Sequence, residues 1–332
     1  MIITRTPYRI SFFGGGTDYP NWYREHGGVV ISTTINKYCH IYCRYLPPYF
    51  KYKYLLRYVQ REEANTINEI KHPSVRECLK FLNIDQGIEM VYMGDIPAQS
   101  GMGSSSSFIV GLLTALYALM GKMVTKRQIA NEAIHIEQNL LMDSVGSQDQ
   151  VAAAFGGFNK IEFGGDRDFY VSPLTLGKHK LQLLHSHLML FFTGISRNAS
   201  DIAAEQIRRT QDKKRELRTM TTMVDEAVSI LYGDPGGIQD FGKLLNEAWE
   251  VKKGITPLIS TDRIDAIYEA AMNSGALGGK LLGAGGGGFL LFFVPPEHQP
   301  SVRETLKDIL YVPFHFECLG SQIVVYSTQE AM

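Results

Sequence analysis

Residues Asp95–Phe108 read DIPAQSGMGSSSSF, and the rest of the chain is best read outward from them. The alternating segment 88–93 ahead of this stretch predicts a strand. Pro97 ends it, and Gly101 and Gly103 lead into four consecutive serines and an apolar run, Phe108–Met120. A strand, a glycine turn and a helix start leave backbone N–H groups unpaired at the positive end of the helix dipole. Glycine lets that backbone close around an anion, and serine hydroxyls add donors or a metal ligand. A flexible Gly/Ser linker has a similar composition, but it would not be held between a strand and an apolar helix. The helix belongs to an uncharged stretch, 96–121, whose apolar part is thirteen residues long. That is short of the ~20 needed to cross a bilayer and suits a helix buried in protein.

The whole chain has 332 residues, 32 of them glycine. Average usage of roughly 7% would give about 23. With 33 basic and 34 acidic residues the formal charge is −1. A general affinity for nucleic acid or acidic membranes needs a basic surplus, so neither is expected as a partner, while a local anion site is compatible. Met1–Ile10 lacks the apolar core of a secretory signal, which predicts a cytoplasmic protein. The four cysteines show no CxxC spacing and are expected as reduced thiols. Nothing separates an interface from a core, so the oligomeric state stays open.

The first third is rich in short apolar runs. Val29–Thr34 and Tyr38–Tyr45 predict two strands, and the dense tyrosines suit the wet side of a sheet or a stacking platform. Helices are predicted at 107–120 and 126–142, the second opened by a Thr125/Gln128 capping box. Leu181–Thr193 predicts a strand. Helices at 199–232, 238–253 and 262–274 follow, then a strand at Phe289–Val294, a helix and a last strand, Gln322–Tyr326. The pattern predicts an α+β protein of two domains, 1–175 and 176–332.

Two further glycine loops stand out. Phe12–Pro20, FFGGGTDYP, sets an acidic residue beside glycines, which suits sugar hydroxyls. Gly275–Gly288, GALGGKLLGAGGGG, holds eight glycines in fourteen positions. It contains a formal GxGxxG, but a helix precedes it and a strand follows, the reverse of a dinucleotide-binding turn. Glu137 shares a helix face with Ile134 and Leu141, so its carboxylate lies among apolar neighbours and needs a partner such as a metal.

These three loops, in this order, resemble the motifs of the GHMP kinases. The first is TPYRISFFGGGTDYP (Thr6–Pro20). The second, P-x3-GLGSSAA in the family, is matched by Pro97–Ser107 with Met102 for Leu and serines for the two alanines. The third, Lys-x2-GAGxGG, is matched by Lys280–Gly288. The resemblance implies a ribosomal-protein-like βα N-terminal domain and a ferredoxin-like C-terminal domain with ATP between them. GGGTDYP, GSQDQVAAAFGGFN and FFTGISRNAS are similar to the D-glycero-D-manno-heptose 7-phosphate kinases within that family. These phosphorylate an anomeric hydroxyl on the way to a nucleotide-activated heptose.

Carried over residue by residue, the resemblance implies that Gly101, Met102, Gly103, Ser104, Ser105, Ser106 and Ser107 cradle the ATP phosphates. Ser105, or Ser104 in its place, and Glu137 would hold Mg2+. Asp149 looks like the catalytic aspartate, with Asp143 the competing carboxylate, and Arg9 would neutralise charge on Asp149 and the phosphoryl group. Asp18, Gly15, Gly16, Gly285 and Gly286 would meet the sugar. Arg197 is the candidate for the substrate's own phosphate, ahead of Lys252 and Lys253. Three alternatives remain: a galactose- or fucose-type kinase of the same family, a catalytically silent ligand sensor, and a serine hydrolase, which would lack its GxSxG.

Overall fold

The computed structural model describes residues 1–165, 168–195 and 199–327. Two sheets organise it. The larger starts with β1 (Ile2–Phe13), helix α1 (Pro20–His26) and β2 (Gly28–Tyr45). β2 is one strand where two are predicted. The polar pair Asn36-Lys37 that looks like a turn is a bulge, because Pro7 faces Tyr38 while Tyr8 faces Ile35. Asn36 is satisfied there by His315, whose carbonyl takes its N–H and whose N–H reaches its side-chain oxygen. Tyr38 and Tyr42 stand half-buried on the outer side of this sheet, and Tyr38 donates its hydroxyl proton to Glu317 at 2.5 Å.

Next come β3 (Tyr54–Arg57), β4 (Arg61–Ala64), α2 (Pro73–Phe81), β5 (Ile88–Gly94), α3 (Ser104–Leu119), α4 (Lys126–His135) and α5 (Gln148–Phe155). Strand β5 lies where alternation predicts it. Helix α3 starts three residues early, so the serines form its first turn instead of leading up to it. It is apolar nearly all round because it is covered all round, by β1 and β2 below and by α4 and α5 beside it. The helix predicted over 126–142 is α-helical only to His135, and residues Ile136–Leu140 widen into a π turn. Thr125 caps it by accepting the Gln128 N–H, but the Gln128 side chain turns to Tyr117 and Glu132, so only half of the capping box forms. β6 (Phe158–Phe163) and β7 (Phe169–Pro173) finish this half.

The second half runs through α6 (Lys178–Ser186), β8 (Leu188–Phe192), α7 (Ala199–Arg209), α8 (Lys214–Tyr232), α9 (Ile238–Lys253) and α10 (Asp262–Asn273). β9 (Gly278–Leu281), β10 (Phe289–Phe293), α11 (Gln299–Thr305) and β11 (Leu310–Tyr311) complete it. The apolar run at 181–193 is helix and then strand, not strand alone; an apolar run lacks a period that would separate the two. The single helix predicted over 199–232 is broken at 210–213 into α7 and α8. The glycine run itself contains β9, which pairs antiparallel with β10. The smaller sheet has the order β11-β8-β10-β9. The chain then returns to the larger sheet through β12 (Phe316–Glu317) on β2 and β13 (Gln322–Tyr326) on β1.

Aromatic rings join the two halves. Phe241 of α9 meets Phe12 and Phe13 edge-on, with centroids 5.6 and 5.1 Å apart, and touches Phe293 of β10. Each buried ring of this kind contributes about 2–3 kcal/mol. Among the described residues the cysteines are unpaired, Cys39, Cys43 and Cys78 being buried and Cys318 exposed, and no helix is long and apolar enough to cross a membrane.

Candidate active site

The cleft of about 270 Å³ is lined by all three glycine loops. On one wall, Gly101 (φ +81°) and Gly103 (φ +76°) turn the chain into α3, a conformation that favours glycine. Ser104, Ser105 and Ser106 face the cleft. Met102 and Ser107 do not. The Met102 side chain is buried and its carbonyl accepts the Arg9 N–H, while the Ser107 hydroxyl donates to the Pro7 carbonyl at 3.1 Å. These two residues anchor the loop to β1.

Glu137 is fully buried at the back of the serine turn, and the π turn carries it there. Ser106 donates to its Oε2 at 2.7 Å, and Gln150 donates to the same oxygen. Oε1 is buried with no partner. Burial pushes the carboxyl up to about 7, and the hydrogen bonds from Ser106 and Gln150 hold it from rising further.

Asp149, in the first turn of α5, forms a two-pronged pair with Arg9: Nε to Oδ1 and Nη2 to Oδ2, both 2.7 Å. The third guanidinium nitrogen, Nη1, donates to the Gly101 carbonyl at 2.7 Å, so one arginine ties the aspartate to the serine loop. Asp18 is buried beside them. Its Oδ1 accepts the Gly16 N–H at 2.8 Å, its Oδ2 accepts the Gln148 N–H at 3.4 Å, and burial raises its pKa. Gly15 and Gly16 line the cleft next to it, and Asp143 does so from the loop after the π turn.

The third loop is placed differently from its reading as a sugar contact. A Cβ on Gly285 would stand 2.7 Å from the Ile259 backbone, and the Gly286 N–H donates to the Ile259 carbonyl. Both glycines serve packing against that turn, and Lys280, Gly283 and Ala284 are the residues of this loop that line the cleft. Arg197 lies outside the described residues. Lys253 is held in surface ion pairs with Glu250 and Asp265.

The family profile for the GHMP kinases N terminal domain matches residues 66–157, and that for the GHMP kinases C terminal domain matches residues 223–312. A D-glycero-alpha-D-manno-heptose 7-phosphate kinase of Campylobacter jejuni is 30% identical, the match covering 92% of this chain and 93% of that one. The chain belongs to the GHMP kinases. As a GHMP kinase it is an ATP-dependent phosphotransferase. Two solved members share its fold. A D-glycero-D-manno-heptose 1-phosphate kinase from Bacteroides thetaiotaomicron superposes with a TM-score of 0.77 at 24% identity, covering 98% of this chain and 100% of the other. Lactococcus lactis galactokinase complexed with galactose gives 0.70 at 19%, covering 97% and 94%.

In this GHMP kinase the structure gathers Arg9, Asp18, Glu137, Asp149 and the serine turn around one cleft. Among the further residues that line it and that motif reading leaves out are Gln148, Lys280 and, named only as a weak phosphate candidate, Lys252. Gln150 stands behind them on Glu137. Both glutamines flank Asp149 in sequence, and Lys280 opens the third motif, so the signal was position beside a motif residue.

Proposed function

We propose that this chain transfers the γ-phosphoryl group of ATP to the anomeric hydroxyl of D-glycero-D-manno-heptose 7-phosphate. The product is the 1,7-bisphosphate, formed in the cytoplasm on the way to a nucleotide-activated heptose. The Arg9-clamped Asp149, set against the glycine turn that opens the serine loop, carries the reading. Likeness to the Campylobacter jejuni kinase over nearly the whole of both chains supports the choice of sugar.

Phosphoryl transfer asks for positioning and charge neutralisation more than for covalent help. The serine turn and the N-terminus of α3 would hold the nucleotide phosphates. Asp149, its orientation set by Arg9, accepts the hydrogen bond of the sugar hydroxyl and takes its proton as the new O–P bond forms and the bond from the γ-phosphorus to the bridging oxygen breaks, releasing ADP. Asp18 holds the first loop against α5, which places the sugar beside Asp149. The residues fit a magnesium ion: Glu137 offers one buried, unpartnered oxygen and Ser105 a hydroxyl open to the cleft. When bound there, Mg2+ would neutralise charge on the phosphates.

Incubation with Mg·ATP and a panel of heptose 7-phosphate, mannose, galactose, fucose and mevalonate, read by phosphorus NMR, tests the reading. A new anomeric phosphate on the heptose alone is expected, and turnover of another acceptor in its place rejects the substrate. Asp149→Asn should lower kcat by about 10²–10⁴ while the protein stays folded.

A further inference from the structure

Lys252 and Lys280 are both 4% exposed, and both line the cleft. They come from different elements, the last turn of α9 and strand β9. Each ammonium has three protons to donate, and each has one acceptor here. Lys252 donates to the Gly283 carbonyl at 2.6 Å and Lys280 to the Phe12 carbonyl at 2.8 Å. Among the described residues neither forms a salt bridge. Arg9 and Asp149 neutralise one another, so Asp18 is the nearby acid left to face two ammonium groups. Gly283 in turn packs against the backbone of Gly101, which brings Lys252 up to the serine loop.

A buried lysine can have a purely structural task, and this chain shows what that looks like. Lys180 is buried away from the cleft and donates to two carbonyls, of Gly233 and Asp234, at the end of α8. Lys252 and Lys280 instead converge on open space with donors to spare. Burial lowers Lys252 to about 8, and it lowers Lys280 further from its ordinary value, with Lys252 as the next cause. Keeping both protonated there is costly until an anion joins them.

We propose that Lys252 and Lys280 form a second phosphate subsite, separate from the serine loop, that holds a phosphomonoester dianion. Two sources share this chemistry: the phosphoryl group in transfer and the phosphate already on the sugar. The second source rests on the substrate proposed above, and the subsite itself does not.

The test uses Lys252→Met and Lys280→Met, with Lys252→Gln keeping a donor for Gly283 should the methionine fail to fold. Lys253→Met serves as the control for a lost surface charge. Inorganic sulfate is titrated calorimetrically into protein saturated with Mg·ADP, which occupies the serine loop, and steady-state constants are measured beside it. Sulfate affinity is expected to fall at least tenfold in the Lys252 and Lys280 variants and to stay unchanged in Lys253→Met. The melting temperature should hold or rise, since an unpaired buried charge has gone. A rise in KM for the sugar phosphate alone assigns the anion to the sugar, and a fall in kcat with both KM values unchanged assigns it to the transferring group. Folded variants with wild-type sulfate affinity and kinetics would overturn the proposal. Lysine-dependent sulfate binding by a wild type that phosphorylates no heptose would leave the subsite standing and remove the substrate.

Discussion

Glu137 is the residue whose two oxygens are treated most unequally. Oε2 takes the Ser106 and Gln150 bonds, and Oε1 faces no donor. Without a cation the buried carboxyl holds its proton up to about 7, against 4.5 when the chain is unfolded. Between those values the folded protein binds more protons than the unfolded one. The contribution is therefore complete below pH 4.5 and is lost as pH rises through 7. Metal-free wild type should lose on the order of 3 kcal/mol of this contribution across the window relative to Glu137→Gln, taking 1.36 kcal/mol per unit. Urea unfolding of both proteins at pH 4.5 and 7.5 checks it, and a pH-independent difference would mean that the carboxyl is already ionised at the lower pH. The candidacy of Glu137 was legible from its apolar helix face. The inequality of its oxygens was not, because it depends on a π turn and on Gln150, thirteen residues away.

At the level of elements, the glycine loops do two jobs that composition does not separate. A Cβ on Gly101 would stand 2.3 Å from the Leu282 carbonyl oxygen, and one on Gly288 would stand 2.1 Å from that of Ser100. The second and third loops therefore meet backbone to backbone. Gly101, Gly283 and Gly288 clear room for this contact. Gly101→Ala combines the clash with a positive φ, so a loss of ~2 kcal/mol or more is expected, together with weaker ATP binding. Gly177 is the opposite case, with φ −58° and nothing near its Cβ position. Gly177→Ala should be near neutral, within about 0.5 kcal/mol, because the entropy gained at a compatible φ is offset by a poorer N-cap of α6. Thermal melts of the two variants side by side test the distinction, and equal shifts would refute it.

Across the whole molecule, the last strand completes the first sheet. β13 pairs with β1, the Ser321 N–H donates to the Ala153 carbonyl, and Gly320 packs on the backbone of Ala154 and Phe155. β1 carries Arg9, and its Phe12 carbonyl receives Lys280, so the C-terminal segment supports the cleft from behind. Deleting residues 316–332 should lower the melting temperature by more than 10 °C or leave the protein insoluble, an effect read by calorimetry and soluble yield. A truncated protein with wild-type melting would show that β12 and β13 are dispensable.

The sequence by itself determined the chemistry and the local turns. Gly101-Met-Gly103 followed by serines dictates a helix start with unpaired N–H groups, and motifs in order along the chain identify the family. These features are encoded by neighbouring residues, whose backbone preferences need no partner. Only the tertiary structure decided which glycines line the cleft and which pack on another loop, that Met102 and Ser107 turn inward, and that Lys252 and Lys280 line one cleft. Those outcomes depend on contacts between segments far apart in the chain, and the charge left unpaired in a cleft is known only once every wall is in place.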